Sequence, residues 1–299
     1  MLRSLYAGVS GMRSFQTKMD VISNNIANVN TTGFKSGRVK FQDMLSQTVA
    51  NAQGPTANGL GGVNPQQVGL GVKVGSIDTI MTGGPLQPTN RDLDFAMEGE
   101  GFFILRDAGG TNFYTRDGAF FTDHEGNLVN ASGLLVMGYL PDGGIGTGDK
   151  NPPTDPQNAT LQKLTIPYNG DQVGLDADYE LQDFTIDATG KIIGVYSNGD
   201  MAETATLGYL AVSKFNNPEG LEKAGNNNYI RSNNSGEPEN GLAGEAGFGY
   251  IRQGFLEMSN VDLANEFTEM IVTSRAYQAN SRSITTSDEM LMELINLKR

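Results

Sequence analysis

Along residues 259–299, positions of one stripe recur at alternating steps of four and three: Leu263, Phe267, Met270, Ser274, Tyr277, Ser281, Ile284, Asp288, Leu291 and Ile295. That spacing predicts one long helix of coiled-coil type, in a run free of Pro and Gly. Ser259 as N-cap with Asp262 three residues on reads as a capping box, with Met258 and Leu263 as a hydrophobic staple. At about 1.5 Å per residue such a helix would be on the order of 55 Å long and needs a partner along its length. The same alternation occurs at the other end of the chain, at Leu2, Leu5, Val9, Met12, Gln16, Met19, Ser23 and Ile26, with Phe15, Ile22 and Val29 widening it. Residues 1–30 hold Arg3, Arg13 and Lys18 against Asp20, whereas 259–299 hold six acids against four bases, so a basic helix faces an acidic one.

Between the helices the period changes to two. The first helix is expected to end near 28–30, where Asn-Val-Asn-Thr-Thr-Gly supplies turn formers and Gly33 tolerates positive φ. Residues 37–47 read as a strand followed by a short helix, 51–65 as a long loop, and 68–75 as a strand. Short strands joined by turns are expected at 76–81, 93–97, 101–105, 113–116 and 127–130. Asp123 to Val129 and Asp187 to Ile193 share the form D-x-x-G-x-(L/I)-(V/I), expected as two hairpin turns with Gly at the positive-φ position. Residues 141–180 change composition and are expected to form a surface extension with strands at 161–167 and 178–184. Strands resume over 184–215, and a polar segment over 232–249 leads back to the last helix.

The fold class is therefore α+β: long N- and C-terminal helices pairing as a coiled coil, with a central all-β domain inserted between them. The expected divisions are an N-terminal helix over 1–30 and a connecting segment over 31–75. The β-domain follows over 76–140 and 181–248 with the 141–180 insert between, and a return segment and helix close the chain over 249–299. Gly 39 and no Trp agree with a turn-rich β middle.

Composition narrows the function. A net charge of −13 without any basic cluster argues against nucleic acid or an anionic membrane surface as partner. The chain has no Cys, which removes disulfides and thiolate metal sites. No secretion signal of the cleaved type and no apolar run of membrane length is read in the sequence, so export, if it occurs, is expected to keep the N-terminus.

Candidate chemistry is sparse. His124, the single histidine, sits in a turn sequence beside Asp123 and Glu125 and has no second His to complete a metal site. Asp92, Asp94, Glu98 and Glu100 invite a paired-carboxylate or calcium reading, but they lack the EF-hand order and fit a solvated sheet face. Gly69-Leu70-Gly71 lacks the third glycine and the lysine of a nucleotide loop. No nucleophile elbow occurs. No catalytic, cofactor or metal residue is assigned. A reading of another class, a β-rich carbohydrate-binding or hydrolytic protein on a helical stalk, would need an aromatic platform or acids in a cleft.

Two long motifs at opposite ends carry a resemblance. Asn24-Asn25-Ile26-Ala27-Asn28 followed by Thr32-Gly33-Phe34-Lys35 resembles the N-terminal signature of the flagellar rod and hook family of bacteria. Gly254-Phe255-Leu256-Glu257-Met258-Ser259-Asn260-Val261-Asp262-Leu263, with Glu266, Met270, Arg275, Tyr277 and Asn280, resembles the matching C-terminal signature. Residues 92–103, 114–118 and 123–129 look like the family's central β-domain, and 133–139 with 187–198 look nearer to its hook members than to its rod members.

The resemblance implies a structural, non-enzymatic subunit that self-assembles into a helical tube and transmits torque. It implies packing between subunits through Leu2, Leu5, Val9, Met12, Met19, Ile22, Ile26, Leu263, Phe267, Met270, Tyr277, Ile284, Leu291 and Ile295. It marks Asn25, Asn28, Gly33, Phe34, Lys35, Ser259, Asn260, Val261, Asp262, Arg275 and Asn280 as motif residues. Implied partners are further copies of the chain in a homopolymer, the distal rod protein, the hook cap protein, the hook–filament junction protein and the flagellar type III export apparatus, with no cofactor. The implied location is the extracellular flagellum, and the terminal helices are expected to order only on assembly.

Overall fold

The computed structural model describes residues 2–54, 61–142, 144–148, 150–153, 159–176, 178–199 and 201–297. The chain divides into two compact units, one of residues 1–28, 36–80 and 261–299, the other of 29–35 and 81–260.

The first unit is built on two helices, α1 (Leu2–Ala27) and α2 (Leu263–Asn296). They lie antiparallel: Ser4 Oγ is 3.2 Å from Ser287 Oγ, Gly8 faces Ile284, Gly11 faces Asn280, and Asn25 bonds Glu266. The seam differs from the expected apolar stripe. It runs through small and polar residues, with Gly8, Gly11, Ser14, Ile22 and Asn25 buried on α1, and Thr273 and Ser287 on α2. Close approach is the cause. A Cβ at Gly11 would stand 2.7 Å from Asn280 Nδ2, and one at Gly8 would stand 3.0 Å from Ile284 Cγ1. The N-cap of α2 is Asp262, whose carboxylate accepts from the backbone N–H of Ala264 and Asn265, so the helix begins three residues after the expected Ser259 cap.

Two ribbons complete this unit. β1 (Gly37–Asp43) pairs antiparallel with β4 (Val72–Thr79), and the alternating burial of both strands turns one face toward α1, where Phe15 meets Phe41 edge to face at 5.5 Å. Gly75 is the extra residue of a bulge opposite Lys40 and Phe41. β2 (Ser46–Ala50) pairs with β3 (Gln66–Gly69) in a ribbon with every residue exposed, where the sequence suggested a short helix. A bridge between Gln53 and Val63 extends it into part of the expected loop; residues 55–60 of that loop lie outside the described residues.

The second unit is a 13-stranded antiparallel sheet with smaller two-stranded pieces. Its longest strand, Ala202–Lys214, pairs with Lys191–Ser197 over one half and with Glu239–Leu242 and Phe102–Arg106 over the other. Both sheet faces are covered. Phe103 and Leu105 enter one core cluster with Phe95, Phe120 and Leu210, while Phe102 and Ile104 enter a second with Tyr114, Phe215 and Tyr229. Strands expected to be polar on one side therefore bury consecutive residues, as Phe95, Ala96 and Met97 do. Asp123 and Asp187 each accept a turn-closing bond, from Gly126 N–H at 3.0 Å and Gly190 N–H at 2.8 Å, with both glycines at positive φ as the repeated motif suggested. The 141–180 segment is more than a surface extension: Leu164, Ile166, Val173 and Tyr179 are buried in the first cluster. Residues 143, 149, 154–158 and 177 within it lie outside the described residues.

Candidate functional site

Most of the motif residues gather at two places, one in each unit, while Arg275 and Asn280 lie further along α2. In the second unit they surround Glu257. Gly33, at φ +66°, donates its N–H to Glu257 O at 2.8 Å, which places Lys35 inside the fold. Lys35 Nζ donates to Glu257 Oε1 at 2.6 Å and to Thr82 O at 2.7 Å. Gly84 N–H reaches the same oxygen at 2.9 Å, and Arg116 Nη1 reaches Oε2 at 3.3 Å. Arg116 Nη2 also bonds Gly99 O, and its guanidinium stands over the Phe102 ring. One carboxylate thus compensates two buried cations, and its remaining lone pairs are met by a backbone donor. Burial outweighs the attraction of Glu257 and holds the Lys35 ammonium below the usual lysine value.

Phe34 is buried beside Lys223, whose Nζ lies 5.0 Å from the ring centre. Asn260 Nδ2 bonds Thr82, and Ser259 is buried. Asp117, next to Arg116, accepts from Thr32 Oγ1 at 2.9 Å; burial lifts its carboxyl above the ordinary value against that hydrogen bond. Sequence reading singled out Gly33, Phe34 and Lys35 individually, and met their partners Glu257 and Arg116 only within longer resembling segments, since those charges become informative once burial is known.

In the first unit the organiser is Asn25. Its amide donates to Gly37 O and to Glu266 Oε1, both at 2.9 Å, and accepts from Gly37 N at 3.0 Å. A side chain thereby acts as a strand partner for the first residue of β1. Asn28 donates to Asn24 O at 2.9 Å and caps the end of α1. Glu266 is held above the usual glutamate value by burial, with the Asn25 bond opposing. Val261 is half-buried, Asp262 caps α2, and Arg275 is exposed with a bond to Gln278.

The expected subunit-packing residues differ in exposure, and Ile22 and Ile284 lie in the helix seam. Leu5, Met12, Met19, Ile26, Met270, Ile284 and Leu291 are half-buried and Ile22 is buried. Val9, Leu263, Phe267, Tyr277 and Ile295 are exposed, and the side chain of Leu2 lies outside those described. Ile271, Val272, Met290, Met292, Leu294 and Leu297, which the stripe did not include, are exposed as well. The acids considered for chemistry are dispersed into ion pairs: Asp94 with Arg91, Glu98 with Arg252, Glu100 with Lys214. Among the described residues no three His, Cys, Asp or Glu side chains form a metal-holding group.

Comparison with known proteins falls on the same segments. A family described as "Flagella basal body rod protein" matches residues 5–35, one described as "Flagellar hook protein FlgE/F/G D1 domain" matches 96–194, and one described as "Flagellar basal body rod FlgEFG protein C-terminal" matches 252–297. The chain is 45% identical over 300 positions to "Flagellar basal-body rod protein FlgG" of Bacillus subtilis (strain 168), covering 100% of both chains.

The chain belongs to the flagellar rod and hook family. It is also 34% identical, over 446 aligned positions and 100% of both chains, to "Flagellar hook protein FlgE" of Borreliella burgdorferi. A rod protein FlgG of that organism is 36% identical over 299 positions, again covering 100% of both chains. A crystal structure of Helicobacter pylori hook protein FlgE2 aligns with a TM-score of 0.23 at 16% identity, over 66% of this chain and 47% of that one, a likeness too slight to bear on the fold. As a flagellar rod and hook protein, the chain is a structural component of the flagellum. The buried charges around Glu257 join segments far apart in sequence, and Asn25 ties the first ribbon to the helix pair.

Proposed function

We propose that this chain is the subunit of the flagellar hook, which polymerises head to tail into a curved tube carrying torque from the rod to the filament. The observation that carries the polymer reading is the set of apolar side chains left exposed along α2, among them Phe267, Ile271, Val272, Met290 and Leu294. Exposed apolar side chains of that kind mark a contact surface, and heterologous contacts that do not close generate a helical tube. The Asn25 and Glu257 junctions would keep each subunit rigid enough to transmit torque, while polar outer surfaces would allow neighbouring copies to slide as the tube bends. In this reading the paired helices supercoil as a coiled coil in the assembled wall. The distal rod protein, the cap and junction proteins and the type III export apparatus are the partners, and the location is extracellular.

A second reading, the distal rod, is favoured by one observation: the relatives that match this chain at its own length, over about 300 positions, are named rod proteins, whereas the hook relatives align over 446 and 468 positions. Electron microscopy of a strain lacking the gene separates the two. Loss of the curved hook with a complete rod supports the hook. Loss of the rod tip as well moves the assignment to the rod, and intact flagella remove the chain from the axial tube.

A further inference from the structure

In the first unit a groove of about 610 Å³ runs along α1 beside the seam, walled by α1, β4 and by Met44 and Leu70 at the base of the β2–β3 ribbon. Its apolar lining includes Val9, Leu70 and Val74, and Arg3, Arg13 and Lys73 also line it. No acid stands among its described lining residues. In a chain of net charge −13, a groove lined by bases alone is a selective surface.

The complementary surface lies on the same unit. The antiparallel register that sets Ser4 beside Ser287 and Gly8 against Ile284 brings Leu2, the first residue of α1, level with about Glu289. The last two turns of α2 therefore run past the first residue of α1. Met290, Leu294 and Leu297, at i, i+4 and i+7, form one ridge there and are 48%, 50% and 82% exposed. Glu289 and Glu293 flank that ridge, no base occurs from Ser283 to Leu297, and Lys298 and Arg299 follow it in sequence. An apolar ridge bordered by acids thus exists without cover beside an apolar groove bordered by bases.

We infer that the groove of one copy receives the Met290–Leu294–Leu297 ridge of a second copy, so that α2 of each subunit continues onto α1 of the next. This contact rests on the assembly reading above and names its surface. Groove and ridge lie on one chain, and each copy offers both, so the contact propagates rather than closing on a pair. The charged rims set polarity, since Glu289 and Glu293 of one copy come to lie near Arg3 and Arg13 of the next.

The absence of native Cys gives a direct test. Val9→Cys and Leu294→Cys are introduced together into the full chain in a motile strain, with each single variant as control, and purified hook–basal bodies are oxidised. A ladder of cross-linked copies on a non-reducing gel, absent from both single variants, is the expected result. Tubes that contain the double variant without a ladder overturn the groove contact and leave the assembly reading standing. Absence of the wild-type chain from those tubes overturns both. Should the double cysteine variant fail to assemble, charge reversal decides: Arg13→Glu is expected to abolish motility, and adding Glu293→Arg on the same chain to restore it. Failure of that restoration also overturns the contact.

Discussion

The ammonium of Lys35 lies 2.6 Å from a carboxylate oxygen of Glu257, 222 positions away in the chain, with both side chains almost completely buried. Arg116 shares the same carboxylate, so the second unit is closed by one negative charge serving segments from the beginning, middle and end of the sequence.

Glu257→Gln keeps the shape of the side chain and leaves two cations buried without a counter-charge. We expect a loss of about 3–5 kcal/mol, the range for breaking a buried pair from one side. Urea unfolding of the full chain measures it. Lys35→Met in the same background is expected to recover part of the loss, and losses that simply add would show that the two residues are not coupled.

Asp117 has a carboxyl raised above its ordinary value of 3.8 by burial. The folded state then binds its proton more tightly than the unfolded chain, so stability rises as pH falls toward 3.8 and is lost as pH climbs through the raised value. Below 3.8 both states are protonated and the contribution is constant. Asp117→Asn retains an oxygen to accept from Thr32 and removes the charge, so it should be modestly more stable than wild type near neutral pH, with that advantage shrinking as pH falls toward 3.8. Urea midpoints across that window check the sign; an unchanged slope would count against it.

At the helix seam, alanine in place of Gly11 gains about 1 kcal/mol of helix propensity. Its Cβ would stand 2.7 Å from Asn280 Nδ2, so the Asn280 side chain must yield and most of that gain is lost. Gly11→Ala is therefore expected to stabilise clearly only in an Asn280→Ala background. Gly11→Leu, too large for the seam, should separate the helices, with a measurable fall in helical circular dichroism.

Asn25→Asp exchanges a donor for a carboxylate facing Gly37 O and Glu266. We expect a cost of about 1–3 kcal/mol near neutral pH, since the backbone group of Gly37 is left unmet. Protonation of the new acid restores a donor, so the loss should shrink on acidification, whereas Asn25→Ala should show no such recovery. Hydrogen exchange at the Gly37 amide reports both.

Much of this architecture is written locally. The helical stripes, the turn at 28–33 and the D-x-x-G turns depend on spacing and backbone preference within a few residues, and the structure forms a helix or turn at each of these places. The terminal motifs are similarly legible because they are contiguous. Two expectations failed for reasons that are also local in appearance but not in cause. Ser259 offers a plausible cap, yet it is buried and Asp262 caps α2 instead. The run at 93–97 alternates in sequence, but Asp94, Phe95, Ala96 and Met97 are all buried, so its alternation carries no information about solvent.

What the sequence by itself determined is that both ends are helical, that the middle is β, and that long motifs mark both ends. Only the tertiary structure decided which helix faces meet. An apolar stripe states that a surface needs cover but not what covers it, and here glycine and serine let the backbones approach at the seam, leaving Phe267, Leu294 and Leu297 outside. Tertiary structure also decided that Lys35, Arg116 and Glu257 form one cluster. Charge is legible in a sequence, but desolvation, which makes a charge demand a partner, exists only after distant segments have been brought together.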